Sequence, residues 1–316
     1  MKRYASLTLA GFLTFSAATP AAAEPKVVAT IKPLHSLIAA VMKDVGTPSL
    51  IIEGAGSPHT YALKPSQAAN LSRADLVFWF GRDLETFMEK PVQTIANKAK
   101  VIEILETAGL TKLPFRDLES FSSDEHAHDE KKHDEHGHHD HHHGEFDPHV
   151  WLDPENAKAI VTVIRDTLAR IDAKHAAIYK SNASATIQRL DNLTSEIRKS
   201  LSHADDHKFI TFHDAYQYFE KRFHVLSSGT ITVSPEVMPG AKRLQTIRTK
   251  VTKEDVKCVF AEPQFKSKLV DTVIEGTSAR SGVIDPLGAT LDASPDLYFQ
   301  LIRAMGKSFA DCLHAG

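Results

Sequence analysis

Three histidines and one aspartate stand where loops leave strands or enter a helix, and all four carry side chains that hold transition metals. His59 lies in the turn-rich stretch Gly54-Ala55-Gly56-Ser57-Pro58-His59-Thr60-Tyr61, after a strand-like run. His149 lies just before Asp153-Pro154-Glu155, which reads as a helix start. His213 follows the apolar run Lys208–Phe212, and Asp285 opens Asp285-Pro286-Leu287-Gly288. In open α/β sheets ligands bind outside the carboxyl ends of the strands, so a cleft between two halves of the chain could gather all four. Three imidazoles and a carboxylate make a tetrahedral set suited to Zn²⁺ at about 2.0–2.2 Å. Imidazole also suits copper and nickel, whereas Mn²⁺ prefers oxygen-rich shells. Taken singly, each histidine is an ordinary polar loop residue, and an Asp-Pro pair also ends strands and starts turns.

A second concentration of the same chemistry lies in mid-chain. Residues 124–145 hold nine of the 18 histidines: His126, His128, His133, His136, His138, His139, His141, His142 and His143. They alternate with Asp and Glu, and no large apolar side chain interrupts them. Such a segment cannot bury enough apolar surface to fold, so the composition predicts a mobile loop. At neutral pH most of its imidazoles are uncharged and open to metal. The loop leads directly into Asp147-Pro148-His149, which tethers a weak secondary metal store beside the candidate site. A solvated charged loop is the plainer alternative.

The ends and the charge narrow the class. Met1-Lys2-Arg3, an apolar run from Leu7 to Ala18, and Ala21-Ala22-Ala23 together read as a secretory signal cleaved after Ala23. The run is too short to span a bilayer, and no later stretch approaches about 20 apolar residues. The expectation is an exported protein of the periplasm, with no membrane insertion after cleavage. Loss of Lys2 and Arg3 takes the balance from 37 − 40 = −3 to 35 − 40 = −5. A mildly acidic chain argues against nucleic acid and against anionic membrane surfaces as partners. Two cysteines, Cys258 and Cys312, read in an exported protein as one disulfide. A metal-binding thiolate pair is the alternative, though no CxxC spacing supports it.

The elements that must position these residues alternate. Strand-like runs at Lys26–Ile31, Leu50–Ile52, Leu76–Phe80 and Val101–Ile104 are separated by amphipathic segments at Leu34–Lys43, Pro65–Arg73 and Leu84–Asn97. The scheme repeats with strands at Lys208–Phe212, His224–Thr232, Val256–Glu262 and Val283–Asp285. Its helices fall at Ala215–Arg222, Ala241–Val251, Ser267–Ser278 and Asp296–Cys312. Such alternation predicts mostly parallel sheets covered on both faces, hence two α/β lobes. Between them the pattern turns wholly helical. Ile160, Ile164, Leu168 and Ile171 recur at helical spacing, and a run from about Ala173 to Leu201 contains no Pro or Gly. It would be on the order of 43 Å long, a stiff spine between the lobes. The division expected is a signal at 1–23, a first lobe at 24–172, a spanning helix at 173–202 and a second lobe at 203–316.

Other polar residues receive quieter roles. His35, at a helix start, reads as structural or as support for a ligand. Glu262, at a strand end, either orients a ligand histidine or caps the strand. His175, His203, His207 and His224 lie on or beside helix surfaces and read as solvated, and Trp151 as packing. A metallohydrolase would also use three histidines on zinc. The chain carries no HExxH, no GxSxG and no carboxylate spaced as a general base, so catalysis is not expected.

The motifs taken together resemble a known family, the solute-binding proteins of metal-specific ABC importers, and within it the zinc-binding branch. The resemblance covers the whole mature chain. It rests on Ile31-Lys32-Pro33-Leu34-His35, Ser57–Ser66, the acidic histidine loop, Asp147–Pro154, Phe212-His213-Asp214-Ala215-Tyr216, Phe260–Phe265 and Asp285–Gly288. It implies a pair of (β/α)₄-like lobes, a rigid spanning helix and one metal in the inter-lobe cleft. His59, His149 and His213 match the family's histidine ligands, and manganese-type relatives carry a glutamate where this chain has His213. Some zinc binders of this kind have a glutamate just before the first histidine. Here that position is Pro58, which leaves the fourth place to Asp285, water or a histidine of the loop. The family's disulfide in the second lobe matches Cys258 and Cys312. The function implied is capture of Zn²⁺ for an inner-membrane ABC permease by a monomeric binding protein. The alternatives are a histidine-rich metal buffer or chaperone, and import of another divalent metal such as Mn or Ni.

Overall fold

The computed structural model describes residues 24–116, 144–202, 204, 207–225, 227–232, 235 and 237–313. The expected signal segment and all nine loop histidines lie outside the described residues. Two four-stranded sheets form, all neighbours parallel. The first comprises β1 (Val27–Ala29), β2 (Ser49–Leu50), β3 (Leu76–Trp79) and β4 (Lys100–Glu103), in the order β2-β1-β3-β4. The second comprises β5 (Phe209–Thr211), β6 (Ser227–Thr230), β7 (Cys258–Ala261) and β8 (Arg280–Val283), in the order β6-β5-β7-β8. The two orders are the same. In each sheet the connections diverge between the two central strands, which opens a crevice at their carboxyl ends.

Burial explains why the strands were readable. β3 (Leu-Val-Phe-Trp) and β7 (Cys-Val-Phe-Ala) are buried along their whole length, as parallel strands with helices on both faces must be. β8 was not readable in this way, and it starts three residues before the expected Val283–Asp285. Its sequence, Arg-Ser-Gly-Val, alternates in exposure at a sheet edge. Gly282 is required there, because a Cβ would lie 2.5 Å from the Phe260 ring on the neighbouring strand. Two other expectations shift. A helix begun at Leu84 would place Pro91 in its interior, where it removes a hydrogen bond and clashes. The chain instead makes a 3₁₀ turn at Thr86–Met88, and the helix runs Glu89–Thr94 with Pro91 in its first turn. β6 begins at Ser227 and not at His224, because His224 takes a left-handed conformation (φ 58°) that ends the helix Gln217–Phe223.

The helical middle matches its pattern. Asp153 caps the helix Pro154–Ile171, accepting the Glu155 N–H at 2.9 Å, with Pro154 at the first position. After a 3₁₀ turn at Ala173–His175 comes the long helix Ala176–Ser200. It packs against the helices Lys32–Val41, Pro154–Ile171 and Leu297–Leu313. Its buried stripe of Tyr179, Ala183, Leu190, Leu193 and Ile197 joins one apolar core that runs from Val27 and Phe78 through to Phe209, Phe260 and Phe309. A smaller cluster, including Ile210, Phe212, Val259 and Ile247, fills the other face of the second sheet. A core continuous from one sheet to the other opposes free rotation of the two halves. Cys258 in β7 and Cys312 in the last helix form the disulfide. Among the described residues, no helix is long and apolar enough to cross a membrane.

Candidate metal site

Each of the three histidines is held by its own local structure. His59 sits in the loop after β2. That loop is anchored by Gln67 of the helix Pro65–Leu71, whose amide donates to the Tyr61 hydroxyl and to the Ile51 carbonyl. His149 precedes a 3₁₀ turn at Val150–Leu152 that runs into the capped helix. His213 stands two residues beyond β5, and its carbonyl accepts from the Thr211 hydroxyl at 3.0 Å. These segments converge. One ligating nitrogen from each histidine lies within 4.8 Å of the other two, and the Nε2 atoms of His59 and His149 are 3.2 Å apart. Ligand nitrogens about 2.0–2.1 Å from a tetrahedral zinc stand about 3.3 Å apart, so the spacing is of the right size. The cavity among them measures about 10 Å³, room for roughly one ion or water.

Two of the imidazoles are oriented by carboxylates. His149 Nδ1 lies 2.7 Å from Asp147 Oδ1, which also accepts the His149 backbone N–H at 2.9 Å. The other oxygen of Asp147 accepts from Gln217 of the second half at 2.7 Å. His213 Nδ1 lies 2.7 Å from Glu262 Oε1, just after β7. A carboxylate on one ring nitrogen fixes the tautomer and leaves the lone pair of the other nitrogen facing inward. His213 Nε2 is buried with no hydrogen-bond partner, which is the state of a nitrogen kept for a ligand. Of these carboxylates, Glu262 carried two readings in the sequence and takes the orienting one. Asp147 has no role in the sequence reading, and the signal for it is spacing: an acid two residues before a histidine can reach both the backbone N–H and the ring.

Burial sets the charge state. His149 and His213 are each 4% exposed. Burial drives the His59 imidazole well below its ordinary range, and the neighbouring His149 and His213 add to this. His149 is pushed in the same direction by burial and then by His213. His213 differs. Burial alone would lower it, but the Glu262 carboxylate, reinforced by Asp214 and Asp147, holds it above the usual value. Burial raises Asp147 to about 6, against the bonds from His149 and Gln217. Two imidazoles are therefore kept neutral and ready for metal, while the carboxylates around the third favour its protonated form, with which a metal competes.

Asp285, the fourth residue expected in the set, is not brought into the three-histidine group. Its Oδ1 accepts from Gln264 Nε2 at 2.9 Å and from the backbone N–H groups of Leu287 and Gly288 at 3.1 and 3.0 Å. Its Oδ2 accepts from the Ala289 N–H at 2.6 Å. The carboxylate is thus engaged in building its own turn, the alternative that an Asp-Pro pair leaves open. Trp151 packs as expected, with its ring 4.9 Å from Phe80 and 5.2 Å from His149, and its indole N–H also donates to the Pro286 carbonyl at 2.8 Å. His35 is structural, buried with Nε2 at 3.0 Å from the Pro48 carbonyl. His224 is exposed, but His175 is half-buried, because its Nδ1 pairs with Asp172 at 2.6 Å. His207 is likewise half-buried, and His203 lies outside the described residues.

Known proteins are similar to this chain in sequence and in fold. The family model for "Zinc-uptake complex component A periplasmic" matches residues 27–312. The chain is 50% identical over 332 residues to the high-affinity zinc uptake system protein ZnuA of Brucella abortus (strain 2308), with 99% of each covered. It is 36% identical to the protein of that name from Paracoccus denitrificans (strain Pd 1222), with 100% of each covered. In fold it is similar to a crystal structure of ZnuA, with a TM-score of 0.73 at 22% identity over 91% of this chain and 98% of that one. It is also similar to the periplasmic zinc binding protein TroA from Treponema pallidum, with a TM-score of 0.76 at 20% identity over 92% and 99%. With a match from 27 to 312 and half its residues shared with a full-length relative, the chain belongs to the ZnuA family, the periplasmic component A of zinc-uptake complexes.

Proposed function

We propose that this protein captures Zn²⁺ in the periplasm through His59, His149 and His213 and delivers it to the inner-membrane permease of an ABC importer. The observation that carries the reading is the convergence of three imidazole nitrogens within 4.8 Å, from three separate segments, with His149 and His213 buried and His59 half-buried. Asp147 and Glu262 support it by fixing two of the rings. An all-nitrogen protein set favours zinc over manganese. The residues divide into a first lobe (24–172), a spanning helix (173–202) and a second lobe (203–316), with the ion held where the lobes meet. The protein acts as a binding component and not as an enzyme, since transport needs a site that holds and releases the ion unchanged.

Competition titration of zinc against a chromophoric chelator tests this reading. One tight site per chain is expected. Replacement of His59, His149 or His213 by Ala should each weaken it by orders of magnitude, and near-native affinity in any one of them would remove that histidine from the set.

A further inference from the structure

Lys32 reaches from the first sheet's side of the molecule into a turn that walls the metal cavity from the second. It opens the helix Lys32–Val41 just beyond β1 and is 8% exposed. An ammonium has three protons to donate, and three carbonyls receive them: Gly288 at 3.0 Å, Ala289 at 2.9 Å and Leu291 at 2.8 Å. All three lie in the turn after β8. From the opposite side the Asp285 carboxylate takes the N–H groups of Leu287, Gly288 and Ala289. The peptide unit joining Gly288 to Ala289 is gripped at both ends. Its N–H meets Asp285 Oδ2 at 2.6 Å and its carbonyl meets Lys32 Nζ at 3.0 Å. Both bonds are charge-assisted, and bonds in series through one peptide polarise each other. The turn also needs Gly288, whose φ of +69° is a conformation that side chains disfavour.

The same turn touches the site. Pro286 and Leu287 line the cavity together with His149, Trp151 and His213, and the Pro286 carbonyl receives the Trp151 indole N–H. The wall on the second lobe is therefore referenced, through Lys32, to the lobe that carries His59 and His149. We propose that Lys32 is a positioning residue for the metal site: with Asp285 it locks the turn 285–291 across the cleft and so slows escape of the bound ion. Asp285 acts through the turn and not as a ligand. This inference rests on the three-histidine zinc reading and adds to it a residue that governs release.

The test measures zinc release from the full mature chain into excess chelator by stopped flow. Lys32→Met keeps the aliphatic stem and leaves three turn carbonyls without their donor. Release should accelerate about 10-fold, the low end of the effect of losing a group that supports a metal site, with one-to-one binding retained and association changed less than roughly twofold. Asp285→Asn should reproduce the faster release, and the double variant should be no faster than either single one, because both residues hold one turn. The visible absorption bands of Co²⁺-loaded Asp285→Asn should match those of the parent protein. Unchanged release in folded Lys32→Met, additive effects in the double variant, or altered Co²⁺ bands would overturn the proposal. If Lys32→Met does not fold, the Asp285→Asn release rate and spectrum decide. Retention of tight binding by His213→Ala would instead bring down the site assignment on which the inference rests.

Discussion

His213 Nδ1 lies 2.7 Å from Oε1 of Glu262, and the two residues follow β5 and β7, the adjacent central strands of the second sheet. The topology thus delivers a ligand candidate and the acid that orients it to the same crevice. Glu262→Gln keeps the size of the side chain and lets the ring rotate or change tautomer. Zinc affinity should fall by about 10–100-fold, read by chelator competition, with the fold intact by circular dichroism. An unchanged affinity would make Glu262 a strand cap and nothing more.

Asp147 should behave similarly for a second reason. It fixes His149 and accepts from Gln217 across the seam. Asp147→Asn should weaken zinc binding by about 10–100-fold, while Gln217→Ala, which leaves the His149 bond in place, should cost much less. Equal losses in the two variants would mean that the seam contact, and not the ring orientation, matters.

The pH dependence follows from the histidines' opposite displacements. His213 is held above 6.5 by Glu262, so as pH falls it is the first of the three to take up a proton. His59 and His149, driven well below 6.5 by burial, protonate only in more acidic solution. Metal and proton compete for the same nitrogens. Zinc affinity should therefore fall in two phases, the first of about one proton beginning above pH 6.5 and a steeper one in more acidic solution. Glu262→Gln removes the charge that raises His213 and should shift the first phase to lower pH. A flat affinity from neutral to mildly acidic pH would contradict this assignment of protons.

The disulfide between Cys258 and Cys312 closes a separation of 54 residues and ties β7 to the last helix, away from the histidines. Replacing both cysteines by Ser should destabilise the protein by about 4 kcal/mol in the chain-entropy model. The thermal midpoint should drop while zinc stoichiometry stays at one tight site. Loss of the tight site in protein that is still folded would show a coupling that the packing does not suggest.

The nine histidines within residues 124–145 should supply extra capacity at lower affinity than the three converged imidazoles, since imidazole of itself takes zinc, copper and nickel alike. Full-length protein should bind additional weak zinc ions, and deletion of the segment should remove these and leave one tight site. Disappearance of the tight site on deletion would place an essential ligand in the segment.

The fold and part of the site were legible because both rest on local signals. Buried parallel strands such as Leu76–Trp79 read as apolar runs, and the helix of 25 residues at Ala176–Ser200 shows as an unbroken stretch without Pro or Gly. The three histidines stood out because each lies in a turn-forming stretch beside a strand or helix end. What escaped is what long-range contact decides. The sequence offers Glu262 as a residue that orients a ligand histidine but not that the histidine is His213, 49 residues away, nor that Lys32 meets the Gly288 carbonyl across 256. Position after a strand groups Asp285 with the histidines, yet its own turn offers three backbone N–H groups within four residues. Residue type and spacing do not say which of two available partners a carboxylate takes.

The central claim is that one zinc ion sits among His59, His149 and His213. A crystal structure of the zinc-loaded protein, with anomalous scattering recorded on both sides of the zinc edge, tests it most directly. The account predicts a single strong peak in the inter-lobe cavity, about 2.0–2.1 Å from the Nε2 atoms of all three histidines, with Asp285 still bonded to the N–H groups of its own turn. A peak elsewhere, or one that leaves any of the three imidazoles uncoordinated, would contradict it.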